Sequence, residues 1–211
     1  MRFSHFSGNL RPERLSGVYF PDEGQTFVRD EEVVIRSPQD AFDLGIGMIH
    51  QHFKLVDVFS AAENIILGMS GSRVINRKEI IADIQATADY YKIDVDLNKK
   101  IYEMSVSEKQ SVEILKVLYR GANILILDEP TAVLTPQETE KLFNVLKIMK
   151  KRGRAVIMIT HKLQEVLEIS DRISVLRKGK YVGTVNTKDA DEVSLTEMRR
   201  QIGRASCRER V

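Results

Sequence analysis

Residues 124–128, Ile124-Leu125-Ile126-Leu127-Asp128, constrain the fold more than any other stretch of the chain. Four successive apolar side chains leave no polar face for water. A run apolar on both sides reads as a buried parallel strand with helices packed on each face. The run ends in two adjacent carboxylates, Asp128 and Glu129, followed by Pro130-Thr131. Open α/β sheets bind ligands at the carboxyl ends of their strands. An acid held there costs stability unless it meets a metal, a proton or a partner. A strand followed by an Asp/Glu turn at the surface gives the same residues, so this run alone leaves both readings open.

The rest of the chain supplies the alternation that a parallel sheet needs. Residues 47–51 form a short apolar strand that runs into the loop His50-Gln51-His52-Phe53, and residues 155–160 form another buried strand that ends at His161. Between the first strand and residue 121 the pattern is mostly helical. One helix begins at residue 61, and a longer amphipathic one over 77–91 carries Ile80, Ile81, Ile84 and Ala88 on one side. Ser105-Val106-Ser107-Glu108 is a capping box that opens a helix running to Arg120 and closing at Gly121. Thr135-Pro136-Gln137-Glu138 is a second one, with proline in the first turn; its helix carries Leu142, Leu146 and Met149 and closes at Gly153. Residues 162–169 read as a helix, and 173–176 and 181–185 as late strands joined at Lys178-Gly179-Lys180. Residues 16–36 alternate weakly and read as a hairpin-like edge. Together these predict a mainly parallel α/β sheet with a helical insertion over 60–120.

Charge and cysteine content exclude several classes. The formal net charge of +2 disappears once Arg204, Arg208 and Arg210, set against Glu209, are removed, so no broad basic field suits nucleic acid or an anionic membrane. Cys207 is the only cysteine, so there is no disulfide framework. No apolar run approaches the roughly 20 residues that cross a bilayer, and the polar N-terminus has no apolar signal core. These features suit a soluble cytoplasmic protein. His50 and His52 form a His-x-His pair, but no third metal ligand is near in sequence.

The motifs in their order resemble a known family. Gln51 after a strand, the helix start at 105–110, Asp128-Glu129-Pro130-Thr131, Ile159-Thr160-His161 and the stretch 171–179 are similar to the Q-loop, signature, Walker B and H-loop series of ABC transporter ATPases. The resemblance covers roughly 15–198. The stretches 45–53, 112–121 and 131–138 look like the importer type for simple sugars and nucleosides, and the ending 178–185 leans toward nucleosides. That resemblance implies a P-loop NTPase-like ABC ATPase core over 15–59 and 121–198, with a helical subdomain over 60–120, the first of two tandem cassettes.

The resemblance also implies roles. Asp128 would hold Mg²⁺ through water, and Glu129 would polarise the attacking water. Gln51 would reach the metal or that water when its loop swings in, and His161 would contact the terminal phosphate of ATP. Ser105, Ser107, Glu108 and Gln110, at a helix N-terminus, would contact the nucleotide held by the opposite cassette, so a site is complete only after dimerisation. The partners implied are membrane permease subunits and a second cassette, with a solute-binding protein indirectly, at the cytoplasmic face of the plasma membrane.

The chain also departs from the family. Position 107 is Ser where the signature has Gly, and 111 is Ser where Arg is usual. No Gly-x-x-x-x-Gly-Lys-Ser/Thr loop occurs anywhere, nor does the adenine-stacking aromatic residue. Residues 1–14 match nothing in the family, which suggests an N-terminus truncated or read in the wrong frame. Residues 199–211 resemble a translated sequencing adapter. The expected fragment therefore binds ATP poorly. Two alternatives stay open: a degenerate, non-catalytic cassette, and a soluble ABC ATPase acting on nucleic acid or ribosomes.

Overall fold

A computed structural model describes residues 26–28, 31–51, 53–69, 77–177 and 180–200. The described elements, in order, are β1 (Thr26–Val28), β2 (Glu31–Val33), α1 (Pro38–Asp43), β3 (Ile46–Ile49), α2 (Ala61–Ile66), α3 (Arg77–Tyr91), α4 (Val106–Tyr119), β4 (Ile124–Asp128), α5 (Pro136–Lys151), β5 (Ala155–Ile159), α6 (Leu163–Ile169), β6 (Arg172–Arg177), β7 (Lys180–Asn186) and α7 (Glu192–Arg200). Short 3₁₀ turns stand at Ile101–Glu103 and Thr187–Asp189. The chain forms two compact units, residues 41–159 and residues 1–40 with 160–211.

The 41–159 unit is built on a parallel sheet in the order β3-β4-β5. Its register pairs Ile49 with Leu127 and Leu127 with Met158, so the carboxyl ends of β3, β4 and β5 lie side by side. β4 is the middle strand, and Ile124, Leu125, Ile126 and Leu127 are each at most 2% exposed. The unbroken apolar run is thus explained by cover on both faces. β3 approaches α4 closely at Gly47, where an added Cβ would collide with Val117 Cγ1. Gly45 has φ +77 and accepts at its carbonyl from Asn123 N (2.7 Å), which sets β3 and β4 side by side. The helices of 60–120 and this sheet fall in the same unit, joined by the contact of α4 with β3.

The remaining unit holds two antiparallel pairs. β1 pairs with β2, matching the hairpin-like reading over its described part; residues 16–25, 29 and 30 lie outside the described residues. β6 pairs with β7, and residues 178–179 between them also lie outside. Ile173 and Val175 of β6 pack with Leu195 of α7, joined by Leu163, Val166 and Leu167 of α6. α7 had no counterpart in the sequence reading. It starts after Asp191, whose Oδ1 accepts from Ser194 N (2.7 Å) while Ser194 Oγ accepts from Asp191 N (3.0 Å). This reciprocal cap lacks the usual glutamate at its third position, so the capping-box pattern passes over it. The segments 1–14 and 201–211 lie outside the described residues. No helix among the described residues is long and apolar enough to cross a membrane.

Candidate functional site

The carboxylates sit where β4 stops. Asp128 still pairs with Ile159 in the β4–β5 ladder and is half-buried. Glu129 turns out of the ladder with φ 47, the left-handed region. For a residue with a Cβ that conformation costs on the order of 1–3 kcal/mol and persists only where the surroundings over-determine it. Here the Glu129 N–H donates to Ile159 O (2.9 Å), and its carbonyl accepts from Ala132 N (3.2 Å). Glu129 has further interactions, yet its Oε2 is buried with no hydrogen-bond donor among the described residues. Thr131, two residues on, is fully buried.

Gln51 leaves the neighbouring strand two residues after Ile49, which is paired with Leu127. Its side chain is exposed. The chain beyond it is anchored by buried polar groups. Lys54 N donates to Glu113 Oε1 of α4 (2.8 Å). Asn64 of α2, fully buried, accepts at Oδ1 from Val56 N (2.7 Å) and donates from Nδ2 to Val56 O (3.0 Å) and Ser60 O (3.1 Å). His50 is half-buried; His52 lies outside the described residues. No group of three His, Cys, Asp or Glu that could hold a metal exists among the described residues.

The mouth of α4 is a complete capping box. Ser105 Oγ accepts from Glu108 N (3.3 Å), and Glu108 Oε2 accepts from Ser105 N (2.7 Å). The other Glu108 oxygen binds Lys99 Nζ at 2.7 Å. The Lys99 ammonium, then the Ser105 N–H, hold the Glu108 carboxyl below the usual glutamate range. Ser107 Oγ lies 3.2 Å from Ser105 Oγ. The Glu138 carboxyl at the start of α5 is held below the usual glutamate range, first by the Thr135 N–H and then by the nearby Ser107 hydroxyl. Ser111 Oγ donates to Ser107 O (3.0 Å).

Gln110 departs from the expectation. It was read among the nucleotide contacts, but its side chain is buried and its Nε2 donates to Pro130 O (2.9 Å). The amide faces the interior because the chain after Glu129 leaves a buried carbonyl that needs a donor. Gln110 thus ties α4 to the loop that follows the acid pair. The structure therefore groups Asp128, Glu129, Gln51 and the α4 mouth on one unit, around two adjacent strand ends and one helix start. His161 belongs to the other unit and is exposed; beside it Lys162 N donates to Thr160 Oγ1 (3.1 Å).

Glu113 and Asn64 escaped the sequence reading. The signal was available in each case: a polar residue inside an apolar helical stretch, Val112-Glu113-Ile114 and Ala62-Glu63-Asn64-Ile65. Buried polar side chains at such positions hold backbone groups.

Comparison with known proteins identifies the family. A family model described as ABC transporter matches residues 13–132. A nucleoside import ATP-binding protein, NupA, of Lactococcus lactis is 46% identical over 193 residues, covering 90% of this chain and 38% of that protein. A guanosine import ATP-binding protein, NupO, of Bacillus subtilis is 47% identical over 186 residues, covering 87% and 36%. A ribose import ATP-binding protein, RbsA, of Clostridium perfringens is 38% identical, covering 87% and 38%. The chain thus spans less than two-fifths of the length of these relatives. Among solved structures, an ATP-binding cassette of an ABC transporter, MJ1267, superposes with a TM-score of 0.75 at 20% identity, covering 89% of this chain and 81% of that one. That likeness establishes the α/β cassette fold.

Proposed function

The chain belongs to the ABC transporter family, and from that premise we propose that it is the nucleotide-handling part of an importer for nucleosides or simple sugars. The observation that carries this reading is the bend at Glu129, a left-handed glutamate directly after an aspartate at the end of a buried central strand. Strain of that kind is kept where a side chain must be aimed. The import names of the similar proteins support the substrate class, and NupA and NupO favour nucleosides.

In this reading Asp128, with Gln51, would hold Mg²⁺ through water, and the buried Oε2 of Glu129 is suited to accept a hydrogen bond from the attacking water. When bound, the ion neutralises developing phosphate charge. Gln51, itself exposed, would report the state of the site. His161 contacts the terminal phosphate's surroundings. The N–H groups at the start of α4, with Ser105, Ser107 and Glu108, face a nucleotide held by a second cassette. Membrane permease subunits at the cytoplasmic face, and through them a solute-binding protein, complete the assembly.

The chain's own groups fit one part of a nucleotide site and not another. The acid pair and the helix mouth are present, but the phosphate-cradling Gly-x-x-x-x-Gly-Lys-Ser/Thr loop is absent from the sequence. Residues 1–211 alone should therefore show no micromolar binding of Mg-ATP by calorimetry. In the complete gene product, Glu129→Gln should reduce ATP turnover at least a hundredfold, the order seen on removing a key transition-state group. Turnover that survives Glu129→Gln overturns the catalytic reading. It leaves the second reading, a non-catalytic cassette, which one observation favours: Ser107 stands where the family signature has glycine, and its hydroxyl lies 3.2 Å from Ser105 Oγ.

A further inference from the structure

We propose that Glu113 is a positioning residue that fixes the exit of the Gln51 loop to α4, so that this loop and the chain after Glu129 both follow the motion of one helix face. The proposal rests on the reading of Gln51 given above. It starts from an anomaly of burial. Glu113 is 6% exposed in the middle of α4, between Val112 at 0% and Ile114 at 2%. A carboxylate there loses hydration, and an apolar side chain of similar volume would pack at least as well. Burial raises its affinity for a proton despite the Lys54 N–H and the Lys116 and Lys54 charges.

What the carboxylate holds is a backbone group 59 residues away, the Lys54 N–H, at 2.8 Å. Lys54 follows Gln51 by three residues. Upstream, the chain is fixed at Ile49 by the β3–β4 ladder. Downstream of Lys54, Val56 is held at both its N–H and its carbonyl by the buried amide of Asn64. Among the described residues, Lys54 is thus the first anchor after Gln51.

The same face of α4 grips the other loop. Gln110 precedes Glu113 by three residues, the spacing that stacks side chains on one side of a helix. Its Nε2 binds Pro130 O, in the chain that carries Glu129. Farther along, Arg120 donates to the carbonyls of Ile65 and Leu67 at the end of α2. One rigid helix therefore touches the backbone beyond Gln51, the backbone beyond Glu129 and the end of α2. A shift of α4 pulls on all three. Glu113 supplies the link to the first.

The test compares Glu113→Leu, which fills the volume without an acceptor, with Glu113→Gln, which keeps an oxygen at the same place. Amide hydrogen exchange on the 211-residue chain should show Lys54 exchanging about tenfold faster in Glu113→Leu and near its original rate in Glu113→Gln, with Leu127 in β4 unchanged in both. Unchanged Lys54 protection in Glu113→Leu, or equal loss in Glu113→Gln, overturns the proposal. In the complete gene product, Glu113→Leu should lower kcat for ATP with KM nearly constant, and Glu113→Gln should restore it. A raised KM with kcat unchanged overturns the coupling. Surviving turnover in Glu129→Gln removes the functional reading instead, and the exchange result still decides the anchor.

Discussion

β4 and β5 are neighbours in one parallel sheet, paired residue for residue; β5 is five apolar residues, and β4 is four apolar residues closed by Asp128. Their surroundings differ. Ile126 in β4 is fully buried, whereas its partner Ile157 and every other residue of β5 are half-buried. β4 has a strand on each side; β5 is the edge of the sheet among the described residues. Apolar composition states that a segment belongs in a sheet. The position within the sheet sets how much water each side chain loses, and that loss is what stabilises.

The sharpest way to break the comparison is a matched truncation. Ile126→Ala should cost about 3–4 kcal/mol and Ile157→Ala about 1–2 kcal/mol in urea unfolding, because only the first leaves a cavity that nothing can refill. Equal costs would show that β5 is covered as fully as β4. A second variant probes the other flank of β4. Gly47→Ala should destabilise by about 1–3 kcal/mol through collision with Val117 Cγ1, and Val117→Ala in the same chain should recover part of that loss.

Smaller effects belong to the helix starts that flank these strands. Ser105→Ala and Thr135→Ala each remove the side-chain half of a capping box and should cost about 1 kcal/mol by thermal unfolding. The smallest effect is a pH difference between two carboxylates on α4. Glu108 titrates below the ordinary 4.5, held there by Lys99 and then by the Ser105 N–H. Its contribution is present above 4.5 and is lost as pH falls through the folded-state value. Glu113 is shifted upward by burial, so its contribution is complete below 4.5 and is lost as pH rises through its folded-state value. Glu108→Gln should flatten the acid limb of the stability profile below 4.5, while Glu113→Gln should gain on the original chain as pH rises above it. Parallel shifts in the two variants would contradict the opposite environments.

Much of the fold was legible because its signals are local. The capping boxes at Ser105 and Thr135 open α4 and α5 where their spacing predicts, and the unbroken run 124–127 forms the central strand. α7 was missed because Asp191 is answered by Ser194 rather than by a glutamate or glutamine. Within the candidate site, the acid pair and Gln51 were legible as residues at or just beyond strand ends. The inward turn of Gln110 was not, since it depends on a carbonyl twenty residues away. Glu113 was hidden for the same reason, its partner lying 59 residues upstream.

By itself the sequence determined most of the segments that become helices and strands, where α4 and α5 start, and which strand ends in carboxylates. These follow from periodicity, caps and side-chain chemistry within a few residues. Only the tertiary structure decided that Glu129 adopts a left-handed bend, that Gln110 and Glu113 point inward to hold distant backbone, and that β4 rather than β5 lies at the centre. Burial and long-range hydrogen bonds depend on what packs against a residue, and neighbours brought together from far along the chain leave no mark in its local pattern.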